Sequence, residues 1–350
     1  MLVKGVTRVV PFHGQTVLAD LQGFLIAAAV TAAVAIPIRR LALGFGILDR
    51  PGSHKSHSKP VPYLGGLAIW LGLIVALAVS APELKRIPAL LTVILVLGLV
   101  DDLFSAKVIV KLAVELSVAI AAIGLGFTWQ ITDSYPLNVG ISLLWMVGIT
   151  NAFNLLDNMD GLSSVAAAAG LVGLAVLAPA TAVFALPMTG AILGFLVWNR
   201  PPARMYMGDA GSLMLGFALS IVTITAANRF HGLHSVALLA GPVAVALFDT
   251  GLVVVSRILA GLPIQVGGRD HFSHRLQNAG WSKAQVLAAA LVAATCGSIA
   301  AFLASSYPQA KSWLAVPIAV FAGVAWVWLL RMNPYSAKIQ LVETREATGA

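Results

Sequence analysis

The sequence predicts an all-α protein that crosses a membrane many times. Hydrophobic residues make up 59% of the 350 residues and charged residues only 10%, whereas soluble proteins carry about 25% charged residues. The apolar runs are roughly 20 residues long, which is the length of a membrane-spanning helix and about twice that of a barrel strand. Because an unpaired backbone polar group in hydrocarbon costs several kcal/mol, runs of this length are expected to be helical.

Eleven such runs predict about eleven transmembrane helices. They lie near residues 18–38, 63–81, 87–100, 107–127, 137–153, 161–178, 180–198, 210–228, 233–256, 284–304 and 312–330. The first run has no clear cleavage site after it and is interpreted as a retained span. No linker or internal repeat divides the chain, so residues 1–350 are predicted to form one integral-membrane domain.

The distribution of lysine and arginine predicts the orientation. Sixteen of the 22 basic residues fall in the loops that follow odd-numbered runs, and cytoplasmic loops carry such an excess. This face is therefore predicted to be cytoplasmic, with residues 1–17 as an external tail and residues 332–350 as a cytoplasmic tail. Seven of the ten aspartates lie on the same face, which indicates one polar site.

Charge and cysteine content exclude other classes of protein. The net charge is +8, but the basic residues are scattered among short loops, so nucleic-acid binding is not expected. Anionic lipids and phosphate ligands account for the charge better. The single cysteine, Cys296, lies inside an apolar run, so neither a disulfide framework nor thiol chemistry is expected.

The first polar cluster is the cytoplasmic loop at residues 49–66. It contains Lys55, His57 and Lys59, and ends in two glycines that allow a backbone to approach a ligand closely. Lysine and histidine are suited to contact phosphate oxygens. The alternative is a basic signal that only fixes the orientation of the neighbouring helices.

The second cluster is the pair Asp101 and Asp102 at the end of the third run. A helix carboxyl end carries partial negative charge, so two carboxylates there are unfavourable unless a cation is bound. The alternative is a solvated helix end with Lys107 as its counter-charge.

The third cluster is the most unusual, because its polar residues lie between two membrane-length apolar runs. Asn151, Asn154, Asp157 and Asp160 are spaced three apart. Charged residues at membrane depth are costly unless they face water, a cation or a partner, so they indicate a functional site. On a straight helix they would spread over about half the circumference, and a break near Asp160-Gly161 is expected to bring them together. The alternative is a polar loop in which Asp160 caps the next helix.

The last two clusters lie in the second half of the chain. Residues 207–212 place Asp209 among glycines at the start of the eighth run, where a helix amino end binds phosphate and a carboxylate binds its metal; a simple helix cap is the alternative. The loop at residues 267–276 carries His271, His274 and Arg275. It lacks a third soft ligand for zinc, so an anion-contacting loop is favoured over a structural metal, with a basic loop resting on lipid as the alternative.

Together the five clusters predict Mg²⁺-assisted chemistry on phosphates. Magnesium takes one or two protein carboxylates and leaves its other positions to water and substrate phosphates. Mn²⁺ is the alternative ion. The chemistry needs aspartates, amides and bases at one surface, and the predicted cytoplasmic face supplies all three.

These residues resemble the polyprenyl-phosphate N-acetylhexosamine-1-phosphate transferases, and among them the undecaprenyl-phosphate GlcNAc-1-phosphate transferase branch of glycosyltransferase family 4. The resemblance covers about residues 20–330 and is carried, in the family's order, by residues 49–66, 101–102, 151–162, 208–212 and 271–276. It implies Mg²⁺-dependent transfer of an N-acetylhexosamine 1-phosphate from a UDP-sugar to undecaprenyl or decaprenyl phosphate, with release of UMP. It also implies a bacterial-type inner membrane, a cytoplasmic active site and the first membrane step of a cell-envelope polysaccharide such as lipopolysaccharide.

The resemblance also implies roles for individual residues. The residues that it implies to be catalytic are Asp101, Asp102, Asp157, Asp160 and Asp209. Asp209 is the expected Mg²⁺ ligand, joined by Asp102, and Asp101 or Asp102 would bind or deprotonate the lipid phosphate. The residues implied to bind substrate are Lys55, His57, Lys59, Asn151, Asn154, His271, His274 and Arg275. Asn154 and Asp157 would contact the nucleotide, and the last three would hold the diphosphate or the sugar.

The chain departs from the family pattern at three positions. Asn158 stands where glycine is common, Ser273 where a histidine is usual, and His54 where an arginine is common. These departures concern the choice of donor sugar more than the reaction. The N-acetylhexosamine, the polyprenol length, the glycan pathway and a homodimer are left open, and Asp249 in the ninth run is unexplained.

Two other functions are weighed against the transferase. The peptidoglycan phospho-N-acetylmuramoyl-pentapeptide transferase is disfavoured because that branch has consecutive histidines where this chain has His-Phe-Ser-His at residues 271–274. A secondary transporter would place its charges near the membrane midplane, often with inverted repeats, whereas these charges cluster at the predicted cytoplasmic helix ends.

Overall fold

The computed structural model describes residues 16–49, 60–230, 232–264, 268–306 and 316–332. These residues form thirteen α-helices and one two-stranded antiparallel pair, β1 (Leu48–Asp49) with β2 (Val61–Pro62). The helices are α1 (Val17–Gly44), α2 (Gly65–Ser80), α3 (Arg86–Phe104), α4 (Val108–Gly124), α5 (Tyr135–Leu156), α6 (Leu162–Leu177), α7 (Ala182–Asn199), α8 (Gly208–Ala227), α9 (Gly232–Ala240), α10 (Ala244–Leu259), α11 (Phe272–Asn278), α12 (Lys283–Ser306) and α13 (Val316–Arg331).

Each of the eleven apolar runs coincides with helix, which confirms an all-α polytopic protein. The run at 233–256 is divided into α9 and α10 by a 3₁₀ turn, Gly241–Val243. The cause is Pro242, which has no backbone N–H to donate and whose ring clashes with a preceding carbonyl. The short helix α11 lies in a loop without an apolar run, and the sequence did not predict it.

Seven helical segments are long and apolar enough to cross a membrane, considering only the described residues. They are Val17–Gly44, Arg86–Phe104, Tyr135–Leu156, Pro179–Asn199, Gly208–Ala227, His234–Leu259 and Lys283–Ala304. Three shorter apolar helices, α2, α6 and α13, have 16 residues each. The number of crossings and their direction stay predictions.

Helix α8 is the centre of the bundle. Its residues from Ala210 to Ala227 are all buried, and it packs against α2, α3, α5, α6 and α9. Small residues allow this close approach, as is usual between membrane helices. A Cβ atom on Gly98 of α3 would lie 2.3 Å from the Cα atom of Ala210, and one on Gly66 of α2 would lie 2.3 Å from the backbone nitrogen of Gly211. The start of α8 is therefore packed between the start of α2 and the last two turns of α3.

The segment before α8 runs beside the segment before α2. The backbone N–H groups of Gly65 and Gly66 donate to the carbonyl oxygens of Tyr206 and Met207, at 3.0 and 2.9 Å. The Tyr206 N–H donates in turn to the carbonyl of Pro62 at 2.9 Å. This pairing fixes the entry into α8 at the same end of the bundle where α3 and α5 end and α4 begins.

Candidate active site

Asp102, at the end of α3, caps the amino end of α8. Its Oδ1 accepts the backbone N–H of Asp209 at 2.9 Å, and its Oδ2 accepts that of Ala210 at 3.1 Å. The first N–H groups of a helix have no partner within the helix, and a carboxylate there also interacts favourably with the dipole. Gly208 has φ +70°, and a Cβ atom on it would lie 2.4 Å from Oδ2 of Asp102. Glycine is therefore required beside this cap.

Lys111, in the first turn of α4, links two other carboxylates. Its ammonium group binds Oδ2 of Asp101 and lies 3.0 Å from Oδ2 of Asp209. Oδ1 of Asp101 accepts the backbone N–H of Ala106 at 2.8 Å. Lys107, the counter-charge in the alternative interpretation of a solvated helix end, has an exposed side chain. Lys111 binds Asp101 instead because it lies one turn further into α4. The only indication of this ion pair in the sequence was that a lysine lies close to the two aspartates.

Asn154, in the last turn of α5, completes the contacts of Asp209. Its Nδ2 donates to Oδ1 of Asp209 at 2.9 Å and to Oγ of Ser212 at 3.0 Å. Asn151, one turn earlier, faces a different neighbour. Its Nδ2 donates to Oε2 of the buried Glu115 at 2.5 Å and to a backbone carbonyl of its own helix. Asn154 therefore lies at the carboxylate cluster, whereas Asn151 lies beside it, within the helix bundle.

Asp157 follows the end of α5 and has no side-chain partner among the described residues. Its pKa is raised to about 8, first by burial and then by the negative charges of Asp209, Asp102 and Asp160. When Asp157 ionises, no side-chain partner among the described residues compensates its negative charge.

Asp160 is buried and bound on another side of the same loop. Its Oδ2 accepts from the ammonium group of Lys283 at 2.8 Å and from the N–H of Ala203 at 3.3 Å. The break in the chain comes at Leu156, four residues before the expected Asp160-Gly161, and Gly161 takes φ +76° where α6 begins. Asp160 thus links the loop between α5 and α6 to α12 and to the segment before α8.

The last loop holds its histidines and arginine against α10. The guanidinium group of Arg275 is buried and donates to the carbonyls of Asp270 and Leu329, both at 2.7 Å, and to Oγ of Ser256 at 2.5 Å. The pKa of His274 is lowered to about 4 by burial and by the nearby charges of His271 and Arg269. Arg275 is thus fully engaged by protein groups, and His274 is a neutral imidazole near pH 7.

Asn158 and Ser273, the two departures in these motifs, contact each other. The Ser273 hydroxyl donates to Oδ1 of Asn158 at 2.5 Å and lies 3.3 Å from Nδ1 of His274. Nδ2 of Asn158 donates to the carbonyl of Leu155 at 2.9 Å. This contact joins the loop after α5 to α11, and nothing in the sequence indicated that the two positions meet.

The predicted residues therefore fall into three groups. The structure gathers one group around the start of α8: Asp101, Asp102, Asn154, Asp157 and Asp209. Other residues have protein partners away from that point: Asn151, Asp160, His271, His274 and Arg275. Lys55, His57 and Lys59 lie outside the described residues. Lys111 and Glu115 are the charged residues near the cluster that the sequence reasoning did not include.

The carboxylate cluster contains more acidic than basic side chains. Four aspartates face one lysine, and Asp157 has no donor near it in the described chain. No three His, Cys, Asp or Glu side chains among these residues are arranged to hold a metal ion by themselves. A divalent cation with one or two protein carboxylates and substrate phosphates as its other ligands matches this donor set.

Comparison with known proteins finds similar sequences over most of the chain. The model of glycosyl transferase family 4 matches residues 86–227. A Bacillus subtilis protein described as a probable undecaprenyl-phosphate N-acetylglucosaminyl 1-phosphate transferase is 32% identical over 306 residues, covering 82% of this chain and 85% of the relative. The decaprenyl-phosphate N-acetylglucosaminephosphotransferase of Mycobacterium tuberculosis is 30% identical over 351 residues, covering 86% of each chain.

A relative named for a different transferred group is also similar. The phospho-N-acetylmuramoyl-pentapeptide-transferase of Bacillus cytotoxicus is 29% identical over 244 residues, which cover 58% of this chain and 75% of the relative.

Proposed function

This chain belongs to glycosyl transferase family 4, and we propose that it transfers an N-acetylhexosamine 1-phosphate from a UDP-sugar to polyprenyl phosphate. The donor is proposed to be UDP-GlcNAc, because the relatives similar over most of the chain are named for N-acetylglucosamine and for undecaprenyl or decaprenyl phosphate. The products are a polyprenyl-diphospho-sugar and UMP. The enzyme acts in a bacterial-type inner membrane, with its site on the cytoplasmic face where most of the lysines and arginines lie.

One observation carries the proposal: the carboxylates, Lys111 and Asn154 all meet at the amino end of α8. A helix amino end attracts phosphate groups. Carboxylates beside it would repel phosphate unless a cation lies between them. The combination therefore supports a metal-dependent phosphoryl transfer rather than simple anion binding.

Asp157 and Asp209 are the proposed Mg²⁺ ligands. The sequence-based prediction paired Asp209 with Asp102, but both oxygens of Asp102 accept backbone N–H groups that are fixed by α8. The oxygens of Asp209 are also engaged, but by the side chains of Lys111 and Asn154, which can change rotamer without disturbing a helix. Asp157 has no side-chain partner among the described residues, and a cation would offset the burial and the carboxylate repulsion that raise its pKa. Bound Mg²⁺, or Mn²⁺ in its place, supplies charge neutralisation for the diphosphate.

The protein groups then align the substrates. The lipid phosphate oxygen attacks the β-phosphorus of the nucleotide sugar, a new P–O bond forms, and the bond to the UMP oxygen breaks. Lys111 is placed to neutralise charge on the reacting phosphates, since it already lies between Asp101 and Asp209. A phosphate monoester is largely ionised at pH 7, with a second pKa of about 6, so no strong general base is needed. Attack by an aspartate to form an aspartyl phosphate is the alternative route.

The pentapeptide transferase is the second candidate, because a relative with that name is 29% identical over 58% of this chain. Two observations disfavour it. The relatives that cover more of the chain are named for N-acetylglucosamine, and the α11 segment has Ser273 between its histidines instead of consecutive histidines. Transport is disfavoured further, since Asp101, Asp102 and Asp209 of the carboxylate cluster lie at helix ends.

Release of UMP tests the proposal. The purified protein is given UDP-GlcNAc, UDP-GalNAc or UDP-MurNAc-pentapeptide, each with and without polyprenyl phosphate, in Mg²⁺ or in excess chelator. We expect UMP from UDP-GlcNAc only when both polyprenyl phosphate and Mg²⁺ are present. Asp209→Asn should abolish release, whereas Asp133→Asn, at an exposed aspartate between α4 and α5, should not. UMP from the pentapeptide donor alone would favour the second candidate, and no UMP from any donor would reject the enzyme function.

A further inference from the structure

Asp249, in the middle of α10, has no exposed surface, and its carboxylate contacts α11. Its Oδ2 lies 2.8 Å from Nδ1 of His271, and its Oδ1 accepts the backbone N–H of Phe272 at 2.8 Å. His271 is itself 5% exposed. One buried carboxylate thus contacts both the ring of His271 and the backbone that carries it.

This contact decides which ring nitrogen is available. A carboxylate beside Nδ1 keeps the proton on that nitrogen and fixes the plane of the imidazole. Nε2 of His271 has no hydrogen-bond partner among the described residues. It is therefore the atom through which His271 can accept a hydrogen bond.

A second contact connects this pair to the carboxylate cluster. Nδ2 of Asn158 lies 3.5 Å from Oδ2 of Asp249, while Oδ1 of Asn158 accepts the hydroxyl of Ser273. Asn158 follows Asp157 directly in the chain. The orientation of His271 is thus linked, through Asp249 and Asn158, to the loop that carries the carboxylate without a partner.

The negative charge of Asp249 is not needed for the fold alone. A neutral side-chain oxygen would satisfy the Phe272 N–H equally well, and a buried charge costs free energy unless it is paired. The ring of His274, whose centroid is 5.8 Å from that of His271, is kept neutral near pH 7. The charged neighbours Arg257 and Asp270 bind each other. His271 is therefore the side chain that the carboxylate of Asp249 positions.

We propose that Asp249 is the positioning residue for His271, holding its proton on Nδ1 so that Nε2 accepts a hydrogen bond from a hydroxyl group of the nucleotide sugar. The proposal rests on the proposed function and adds to it a residue that acts through the histidine. Asp249 itself touches no substrate. Its carboxylate fixes the orientation of the imidazole ring and the nitrogen that carries the proton before the substrate binds.

Kinetics with single variants test the role in the reaction. Asp249→Asn keeps an oxygen for the Phe272 N–H but removes the charge, and we expect kcat/KM for the UDP-sugar to fall about 10- to 100-fold, as when a carboxylate that orients a histidine is lost elsewhere. Asp249→Glu should restore part of the activity, because it restores the charge. Asp133→Asn is the matched control and should match the unaltered protein. Full turnover in both Asp249→Asn and Asp249→Ala would overturn the proposal.

Histidine spectra test the pairing without any substrate. In protein labelled with ¹⁵N-histidine, the His271 signal is identified by its loss in His271→Gln. We expect Nδ1 of His271 to be protonated in the unaltered protein and the preference to be lost in Asp249→Ala. A proton on Nε2 alone in the unaltered protein would overturn the proposal. Absence of UMP release by the unaltered protein with any donor would reject the proposed function, while these spectra would still decide the pairing.

Discussion

The ammonium group of Lys111 lies 3.0 Å from Oδ2 of Asp209 and also binds Asp101, so one lysine joins the end of α3 to the start of α8. Its removal leaves two carboxylates without their counter-charge. For Lys111→Met we expect turnover to fall about 100-fold, as when one charge-stabilising donor is removed from an active site. Lys111→Arg should retain part of it.

The control for this variant is Lys107→Met, which removes an exposed lysine from the same end of α4. UMP release at saturating Mg²⁺ should then match that of the unaltered protein. Equal losses in the two variants would show that only the general positive charge of this surface matters.

Two aspartates of the cluster should respond in opposite ways to replacement by asparagine. Asp157→Asn should abolish turnover and raise the Tm in chelator, because it removes a buried charge that other carboxylates repel. Ionisation of Asp157 costs stability as the pH rises from its ordinary pKa near 4 to about 8. The gain in Tm should therefore increase over that range and stay constant above it.

Asp102→Asn should instead lower the stability by about 1 kcal/mol, since an amide has one acceptor oxygen for the two backbone N–H groups of α8 and leaves one of them unpaired. Thermal unfolding of both variants in one detergent makes the comparison. A loss of stability in Asp157→Asn at pH 8 would show that its carboxylate has a favourable partner.

His274 should make the protein less stable in acid. Its pKa of about 4 lies below the ordinary value of 6.5, so between these values the unfolded chain takes up a proton that the folded protein does not. Stability should therefore fall as the pH is lowered from about 6.5 to about 4. His274→Gln should flatten the curve of Tm against pH in that window, and an unchanged curve would contradict the assignment.

The contact between α3 and α8 should not tolerate a methyl group. In Gly98→Ala the new Cβ atom would lie 2.3 Å from the Cα atom of Ala210, and overpacking of this kind costs about 1–3 kcal/mol. We expect a lower Tm and reduced turnover, because the start of α8 must shift. Gly148→Ala, on an exposed face of α5 with open space around it, is the control and should be neutral or slightly stabilising.

Asn158 should influence the choice of donor before it affects the chemistry. Asn158→Gly removes the hydrogen bond with Ser273, so we expect a several-fold change in KM or in donor preference, with turnover retained. Because Ser273→Ala removes the same hydrogen bond, the double variant should lose little more than either single one. Complete loss of activity in Asn158→Gly would mean that the loop backbone depends on this side chain.

The helices were predictable because apolar length and composition are local properties. The run at 210–228 corresponds to Gly208–Ala227, and that at 107–127 to Val108–Gly124. The division at Pro242 was not predicted, although the proline was visible, because the surrounding residues are uniformly apolar. The loop helix α11 has no periodic pattern long enough to be recognised.

The residue types of the site were also predictable, but not their partners. Lys111 and Asp209 are 98 positions apart, and Asn158 and Ser273 are 115 apart. Such pairs depend on how the helices pack, which no local pattern contains. For the same reason Asp102 resembled a metal ligand in the sequence, whereas in the structure its two oxygens accept N–H groups of α8 that lie 107 and 108 residues later.

The position of α8 along the chain also determines the order in which the residues of the carboxylate cluster are synthesised. Asp102, Lys111 and Asn154 all precede α8 in the chain, so every side-chain partner of Asp209 described here has left the ribosome before Asp209 does. A nascent chain that has reached Ala227 already holds the whole carboxylate cluster. The segment that matches the family, residues 86–227, ends at that same residue. What is translated afterwards adds α11 and the Asp249 carboxylate that contacts it to a cluster whose residues have all been synthesised.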